Sequence, residues 1–364
     1  MTCNAYVLTK FREPLELRTF QLPTPGPGEI LVRLAASGVC GSDLHMYLGE
    51  DPRTPLPIIL GHEGVGWVEA MGSSQNAVDG RSVKEGDLIT WNRGVACNRC
   101  YACKILRQPS YCTGRQIYGI NLSCDQPPYL NGCYSEYVLL RPGTDLYLLP
   151  SSIDPAAVCS ACCSGATVAH AFDLANIHPG DTVVVQGPGP LGVWACYFAR
   201  RRGAGQVVVI GGSENRLEMC RQFGATHLLN RRNLSLEQRK ETVFQLTGGR
   251  GADCVVECAG TNGAAVEGIR LLRQGGVYLS TGYAQPAGLE QLDFFTDVVR
   301  RGVAIHGVWV SDARHVYHAV TAALENPELF ASMISHRLPL QEANHALALM
   351  QNREAIKIAL VSQI

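Results

Sequence analysis

The sequence predicts an α/β protein with two domains, one rich in β-strands and one built on a doubly wound parallel sheet. Three observations support this prediction. The chain has 364 residues, which is about two domains of ordinary size. Residues 1–155 carry short apolar runs separated by Pro/Gly turns, a pattern typical of strands. From Thr182 onward, strand-like runs alternate with helical patterns, which indicates βαβ units and a parallel sheet.

The individual elements follow from the same patterns. In the β-rich part we predict strands over Glu29–Val39, Gly64–Gly72 and Asp87–Asn92. The alternating part predicts strands Thr182–Gly187, Gln206–Gly212, Asp253–Gly260 and Gly275–Gly282, with helices Gly192–Arg202, Glu214–Phe223, Leu234–Thr247 and Ala264–Arg273. The chain is expected to end in a helix, Leu340–Gln351, and a strand, Ala355–Val361.

Composition and charge exclude several classes of partner. The net charge is −1, which lacks the basic excess of a nucleic-acid or anionic-membrane binder. Two uncharged stretches, Ala156–Phe172 and Thr182–Ala199, are interrupted by Gly, Pro, Ser or His, so we expect buried core rather than membrane spans. The 15 cysteines, without a secretion signal, indicate reduced thiols or metal ligands and a cytoplasmic location.

The clearest binding motif is Gly187-Pro-Gly189-Pro-Leu-Gly192, which directly follows a predicted strand and opens a predicted helix. In that context a GxGxxG brings the backbone close to a pyrophosphate at a helix N-terminus. It therefore predicts a Rossmann-type dinucleotide site.

The end of the next predicted strand bears on the choice of cofactor. An acid usually stands there and holds the adenosine ribose, but this chain has Gly211. Ser213 and Arg216 could approach a 2′-phosphate, whereas the nearby Glu214 could still serve a ribose. Either NAD or NADP is therefore allowed.

Two groups of residues predict metal sites. Cys97, Cys100, Cys103 and Cys112 have the spacing C-x2-C-x2-C-x8-C, which predicts a structural zinc. A more dispersed set combines Cys40, Ser42, Asp43 and His45, then His62 and Glu63, then Cys159, Cys162 and Cys163. Beside a dinucleotide motif, this set predicts a catalytic zinc with three protein ligands and one open position.

With these motifs in this order, nearly the whole chain resembles the zinc-containing alcohol dehydrogenases of the medium-chain dehydrogenase/reductase superfamily. The motifs are CGSDLH from Cys40, GHEGVGWVEAMG from Gly61, the four-cysteine lobe, the Cys163-x3-Thr167 pattern and the GxGxxG. The resemblance implies a GroES-like catalytic domain from residues 1–164 and 306–364, with the zinc lobe at about 93–115. It implies a Rossmann NAD(P)-binding domain over residues 165–305.

The resemblance also implies roles for single residues of the zinc site. Cys40, His62 and Cys163 would bind the catalytic zinc, with Cys162 and then Cys159 as rivals for the third position. Glu63 would lie behind the metal and exchange as a ligand, and Asp43 would orient His62. Ser42 and His45 would relay the substrate proton through the nicotinamide ribose towards solvent. The alternatives are that Asp43 only caps a helix, that Ser42 is a turn hydroxyl and that His45 is a solvated surface residue.

Three further assignments concern the cofactor and the substrate. Leu191 would pack behind the nicotinamide ring. Lys357 would lie near the pyrophosphate, unless it is a plain surface lysine. Arg93 falls where relatives line the substrate pocket, so it would meet an anionic or strongly polar substrate; alternatively it points to solvent or pairs with an acid.

Together these features predict a zinc-dependent oxidoreductase that transfers a hydride between an alcohol, or its aldehyde or ketone, and NAD(P). We expect two zinc ions per chain, a small-molecule substrate, and a homodimer or homotetramer joined near Arg301–Gly307. Two alternatives are a metal-free quinone or enone reductase of the same superfamily and a zinc-ribbon-like interaction module fused to a nucleotide-sensing domain. The cysteine and histidine sets argue against the first, and the neutral charge argues against the second.

Overall fold

The structure is a computed structural model that describes residues 1–362. The chain separates into two units. The first, here called the catalytic unit, is Met1–Ala166 with the chain from Ser311 onward, and the second, the nucleotide unit, is Thr167–Val310. The predicted boundary between residues 305 and 306 is misplaced, because it cuts a strand, Ala304–Gly307, that pairs along its whole length with the nucleotide-unit sheet.

The chain up to the nucleotide unit is mainly β-structure. Its strands are β1 (Thr2–Leu8), β2 (Glu16–Gln21), β3 (Ile30–Val39), β4 (Ile58–Ile59), β5 (Gly64–Met71), β6 (Gln75–Asn76), β7 (Ser82–Val83), β8 (Leu88–Trp91), β9 (Gly94–Val95), β10 (Gln116–Ile117), β11 (Tyr137–Leu140) and β12 (Leu146–Leu149). Its helices are α1 (Gly41–Tyr47) and α2 (Pro155–Cys159), with short helical turns at Ala102–Leu106, Pro109–Tyr111 and Ser160–Cys162. Helix α3 (Ser164–Asp173) begins in this part of the chain and continues into the nucleotide unit.

The nucleotide unit alternates strands with helices. Its elements are β13 (Thr182–Gln186), α4 (Pro190–Arg201), β14 (Gln206–Gly211), α5 (Glu214–Gln222), β15 (His227–Asn230), α6 (Leu236–Leu246), β16 (Ala252–Glu257), α7 (Ala264–Leu271), β17 (Leu272–Ser280), a short helical segment at Phe294–Val299 and β18 (Ala304–Gly307). Helix α4 begins two residues before the predicted Gly192, because the fixed φ of Pro190 suits the first turn of a helix.

The six strands of the nucleotide unit form one parallel sheet in the order β15-β14-β13-β16-β17-β18. The buried Val183–Val185 run of β13 explains why the first strand lies at the centre, since strands covered by helices on both faces are apolar throughout. The order reverses at β13, and ligands of such sheets bind outside the carboxyl ends of the strands at that point.

The remainder of the chain completes the catalytic unit. Its elements are α8 (Ala313–Glu325), α9 (Pro327–Ser332), β19 (Ile334–Pro339), a helical turn at Leu340–Glu342, α10 (Ala343–Gln351) and β20 (Lys357–Val361). The main sheet runs β12-β8-β5-β3-β20-β19, with β11 also paired to β3. Because β20 is antiparallel to β3, the first residues of β20 lie beside the end of β3 that leads into Cys40.

Within residues 1–362, no single helix combines the length and apolar composition needed to cross a bilayer. One bent pair, Pro155–Cys162 with Ser164–Asp173, meets the criterion by length and composition only.

Candidate functional site

The four cysteines of the lobe lie together. One sulfur from each of Cys97, Cys100, Cys103 and Cys112 falls within 4.8 Å of the others. Backbone N–H groups already point at them: Cys97 N donates to Cys112 Sγ over 3.2 Å, and a backbone hydrogen bond from Cys103 lowers the pKa of Cys100 to about 6. Burial and the neighbouring thiols raise the pKa of Cys103 instead. Four sulfurs at such separations have the donor set of a tetrahedral zinc site.

A second cluster brings together four residues from three distant parts of the catalytic unit. Cys40, His62, Glu63 and Cys163 each offer one donor atom, and these atoms lie within 4.8 Å of one another. Cys40 Sγ and Cys163 Sγ are 3.8 Å apart. Cys40 follows β3, His62 and Glu63 precede β5, and Cys163 precedes α3, so the sheet and the helix start fix the geometry.

Asp43 both caps a helix and contacts the histidine of this cluster, so the two interpretations of this residue are compatible. Its Oδ2 accepts from the Cys40 backbone over 2.8 Å, which closes a capping box at the start of α1. Its Oδ1 accepts from Gly61 N over 3.2 Å and lies 3.3 Å from His62 Nδ1. This contact orients the ring and leaves Nε2 as the free donor atom.

The adjacent cysteines point in different directions. Cys163 Sγ joins the cluster, whereas Cys162 Sγ lies 2.8 Å from Thr90 Oγ1 and Cys159 Sγ donates to the Pro155 carbonyl. Between the turn Ser160–Cys162 and α3, Cys163 has φ −125° and ψ −86°, which breaks the helical path and turns the neighbouring sulfurs apart. The structure therefore brings the sulfur of Cys163 to that of Cys40, whereas the sulfurs of Cys162 and Cys159 lie elsewhere.

The electrostatics of the cluster suit a metal. The hydrogen bond from Cys163 holds the pKa of Cys40 well below its usual range, and the same contact, with burial, raises the pKa of Cys163. Burial alone would lower the pKa of His62, but Asp43 and Cys40 raise it to about 9. Both ring nitrogens of His62 are buried; Nδ1 is held by the 3.3 Å contact with Asp43, and Nε2 has no hydrogen-bond partner within residues 1–362. Two sulfurs and one unpartnered imidazole nitrogen match the donors of a catalytic zinc site, so these residues fit the ion.

Lys357 lies at this cluster. It is 1% exposed, its Nζ donates to the Val39 carbonyl over 3.0 Å and lies 2.5 Å from Glu63 Oε2. The Nζ–Oε2 contact has the distance of an ion pair but not the angles of a hydrogen bond, so both Glu63 oxygens lack a hydrogen-bond partner. Lys357 is therefore neither a surface lysine nor free for a pyrophosphate, because its amino group already has two partners.

Arg93 also lies beside the cluster of Cys40, His62, Glu63 and Cys163. The residue is 6% exposed, and its Nη1 donates to Cys163 Sγ over 2.7 Å. It forms no ion pair with an acid within residues 1–362. The structure thus contradicts both the solvent-facing and the acid-paired alternatives.

The two residues of the predicted proton relay lie on one short helix, and in that prediction the nicotinamide ribose stands between them. Ser42 and His45 both lie on α1, but no hydrogen bond joins them in the described part of the chain. His45 Nδ1 instead lies 2.6 Å from Glu50 Oε2. Sequence reasoning missed Glu50. A carboxylate five residues after a candidate relay histidine could have predicted this contact.

The glycine-rich loop has the shape of a phosphate cradle. Gly187 adopts φ 100°, a conformation that favours glycine, and a Cβ at Gly192 would lie 1.9 Å from the Gly187 carbonyl oxygen. A Cβ at Gly189 would meet nothing within 4 Å, so space is open where a ligand approaches the backbone. Helix α4 begins at Pro190 and Leu191 is half-buried in its first turn. These features fit a dinucleotide at the helix N-terminus.

The residues predicted around the adenosine ribose lie at the end of β14. Gly211 closes the strand, Ser213 is the N-cap of α5 and Arg216 lies in its first turn. Glu214 is exposed, and its Oε1 is 3.5 Å from Asn230 Nδ2. The side chains of Arg231 and Arg232, which follow β15, also lie beside Gly212 at this strand end. Sequence reasoning missed them because the contact joins the ends of two different strands, β14 and β15.

Comparisons with known proteins agree with this geometry. Residues 26–151 match the model of the alcohol dehydrogenase GroES-like domain, and residues 190–326 match that of the zinc-binding dehydrogenases. The chain is 33% identical to a 5-exo-hydroxycamphor dehydrogenase of Pseudomonas putida over 95% of both chains, and 31% identical to a sorbitol dehydrogenase of Halalkalibacterium halodurans over 93% of both.

Solved structures show the same fold over the full length. An alcohol dehydrogenase from Thermotoga maritima has 44% identity and a TM-score of 0.97, covering 100% of both chains. A protein described as a zinc-binding dehydrogenase from Sinorhizobium meliloti, solved with NADP, has 25% identity and a TM-score of 0.85 over 99% of both chains. The predicted fold class is confirmed, and this chain belongs to the zinc-containing alcohol dehydrogenase family of the medium-chain dehydrogenase/reductase superfamily.

Proposed function

We propose that this zinc- and NAD(P)-dependent dehydrogenase oxidises a small secondary or primary alcohol to its carbonyl compound. A hydride passes from the alcohol carbon to the nicotinamide and the hydroxyl proton is released, and the reverse direction reduces the carbonyl. The observation that carries the proposal is the convergence of Cys40, His62, Glu63 and Cys163 within 4.8 Å.

The roles of the residues follow from their contacts. Cys40, His62 and Cys163 would hold the catalytic zinc, Glu63 would be the carboxylate behind it, and the four lobe cysteines would hold the structural zinc. When bound, zinc supplies Lewis acidity toward a substrate oxygen, and NAD(P) accepts or gives the hydride. Asp43 orients His62, and it also ties the start of α1 to Gly61.

The proton path would run along α1. Ser42 would take the substrate proton and His45 would pass it outward, with Glu50 holding His45 Nδ1 over 2.6 Å and so leaving Nε2 for the inner side. Because His45 is 37% exposed and Glu50 42% exposed, the outer end of this path reaches solvent.

Two measurements on the purified holoenzyme test the proposal. Elemental analysis should give two zinc ions per chain, and a screen of alcohols and carbonyls with NAD and NADP should show a change in nicotinamide absorbance. Metal-dependent turnover with two zinc ions supports the proposal. A zinc-free active protein would favour the metal-free reductase, and one zinc without turnover would favour the interaction module.

For the substrate class, we propose that Arg93 lines the pocket and favours substrates with a carboxylate or another strongly polar group beside the reacting carbon. A buried guanidinium beside Cys163 can form two parallel hydrogen bonds to such a group. In the screen, kcat/KM should be higher for 2-hydroxy acids than for apolar alcohols of equal size. Arg93→Met should lower the ratio of these two kcat/KM values by roughly tenfold or more, which is the effect of losing one hydrogen bond to a charged group. An unchanged ratio in Arg93→Met would show that Arg93 only supports Cys163.

Two lesser features are also proposed. Strand β18 pairs only with β17 within residues 1–362, and Ile305 is 42% exposed, which supports the predicted homodimer or homotetramer through this edge. Light scattering of the purified protein should give the mass of a dimer or a tetramer, and a monomer mass would contradict this proposal. Every cysteine is a free thiol, which supports the predicted cytoplasmic location.

A further inference from the structure

A cleft of about 970 Å³ lies in the nucleotide unit, at the opposite edge of the parallel sheet from the glycine-rich loop. Its walls come from the amino ends of β16, β17 and β18, together with residues of α6 and α7. The glycine-rich loop instead follows the carboxyl end of β13, where dinucleotides bind to such sheets. The cleft is therefore separate from the cofactor site, and its volume is within the roughly 300–1,000 Å³ of small-molecule sites.

The lining of this cleft, here called the basic cleft, is rich in positive charge. It contains two acidic side chains and five cationic ones, Lys240, Arg250, Arg270, Arg273 and Arg301. The chain as a whole has a net charge of −1, so positive charge is concentrated at this place. A cleft lined mainly by charge of one sign raises the local concentration of ligands of the opposite sign.

Two of the five cations already have acidic partners. Arg270 donates two hydrogen bonds to Asp297, over 3.1 and 3.0 Å, and Arg273 Nε donates to Asp253 over 2.6 Å. The other acid of the lining, Asp293, accepts from two backbone N–H groups at the start of the helical segment that follows it. These acids therefore leave three of the cations without a carboxylate partner.

The three remaining cations keep N–H donors for a ligand. No carboxylate within residues 1–362 forms an ion pair with Lys240, Arg250 or Arg301. Arg250 Nε donates to the Thr247 carbonyl over 3.0 Å, and in the described part of the chain its two Nη atoms have no acceptor. Lys240 Nζ lies 5.8 Å from the ring centre of Phe244, a contact that uses none of its N–H groups.

Arg301 is the most enclosed of these three cations, because it is half-buried and the other two are exposed. Its Nη1 donates to the Ile269 carbonyl over 3.0 Å and its Nη2 donates to the Leu272 carbonyl, so the guanidinium is fixed at the end of α7. Burial lowers the pKa of Arg301, and the nearby Asp297 offsets only part of that shift. An anion in the basic cleft would replace hydration that this guanidinium has lost.

We propose that the basic cleft is a second ligand site, which binds an organic molecule with two phosphate groups through Lys240, Arg250 and Arg301. Three unpaired positive charges exceed the roughly two negative charges of a single phosphate group, and guanidinium groups match phosphates by paired N–H···O bonds. Phe244 and Leu272 supply apolar wall for the carbon skeleton between the phosphates. The site goes beyond the proposed function, because it requires neither zinc, nor the alcohol, nor the dinucleotide.

Calorimetric titration of the zinc-loaded protein tests the proposal with two probes. Propane-1,3-diyl bisphosphate carries two phosphates and propyl phosphate carries one, and neither has an alcohol or carbonyl group that could react. The bisphosphate should bind at least about tenfold more tightly, and Lys240→Gln and Arg250→Gln should each weaken it by roughly tenfold. Neither variant should change kcat/KM for an alcohol by more than about twofold, since both residues lie at the edge of the sheet away from the glycine-rich loop.

Arg300→Gln is the matched control, because Arg300 is the exposed neighbour of Arg301 in the chain and does not line the basic cleft. It should leave the affinity for both probes unchanged. A loss in Arg300→Gln as large as that in Arg250→Gln would show general attraction to a positive surface and overturn the proposal. Equal affinity of the unaltered protein for the two probes would overturn it as well.

A repeat of the titrations in excess NAD separates the basic cleft from the dinucleotide site. The affinity for the bisphosphate should stay the same, whereas its loss would place the probe in the dinucleotide site and overturn the proposal. Because no turnover is measured in these titrations, an inactive protein that binds the bisphosphate would reject the proposed function alone. An active dehydrogenase without this binding would reject the second site alone.

Discussion

Cys40→Ser is expected to lower kcat/KM by about a thousandfold or more, with one zinc lost per chain and dinucleotide affinity changed by less than about twofold. The expected loss corresponds to the several kcal/mol of transition-state stabilisation that a Lewis-acidic metal gives. Cys40 supplies one of two neighbouring sulfurs in the cluster, and serine is a poor zinc ligand. Zinc content, turnover and calorimetric titration of the cofactor are the three measurements.

Cys162→Ser is the matched control for this result. Cys162 is fully buried next to the ligand, but its sulfur lies against Thr90 and a serine hydroxyl can keep that contact. It should retain two zinc ions and most of the activity, whereas Cys163→Ser should behave like Cys40→Ser. The reverse pattern would assign the third ligand to Cys162, and joint loss of zinc and cofactor binding in a folded Cys40→Ser protein would reject the site.

Lys357→Met is expected to be the most destabilising of the single changes considered for the catalytic unit, at about 3–5 kcal/mol or a fall of about 10 °C in Tm. Lys357 and Glu63 are 1% and 0% exposed, so the variant leaves a carboxylate buried without its cation. Burial raises the pKa of Glu63 and Lys357 opposes that shift, which shows how much the carboxylate depends on this partner. Thermal unfolding of the zinc-loaded protein is the measurement.

An exposed pair of the same chemistry is the comparison. Lys10 and Glu13 form an ion pair at 71% and 53% exposure, and Lys10→Met should cost less than about 1 kcal/mol. Adding Glu63→Gln to Lys357→Met should restore part of the lost stability, because the neutral amide has no charge to bury. Equal effects of Lys357→Met and Lys10→Met would show that the buried pair contributes no more than a surface one.

Local patterns predicted the fold and the cluster of four cysteines, whereas the choice of Cys40, His62 and Cys163 within the dispersed set came from the resemblance to a known family. Motifs such as C-x2-C and GxGxxG predict a site because residues close together in the chain form it. The apolar run of β13 predicts a strand that is buried on both faces. The parallel pairing of the sheet followed from the alternation of strands and helices, whereas its strand order was not predicted. The boundary at 305 was misplaced because β18 is a short edge strand with little apolar content.

The parts that sequence reasoning missed depend either on local backbone geometry or on long-range contacts. The orientations of Cys162 and Cys163 depend on a break in the backbone between two helical segments. Lys357 reaches Glu63 because β20 pairs with β3, more than 300 residues away in the chain. Arg231 reaches Gly212 through strand register, and Arg93 turns toward Cys163 because both are buried beside the same cluster.

The short helix α1 has a consequence for how this protein tolerates insertions. Its first turns carry the proposed metal ligand at the N-cap, the carboxylate that contacts a second proposed ligand, and both groups of the proposed proton path. An added or deleted residue between Cys40 and His45 would rotate everything after it by about 100° around the helix axis. Metal coordination, imidazole orientation and proton release would then fail in a single event, so the length of this segment is constrained more tightly than the identity of a side chain such as Leu44.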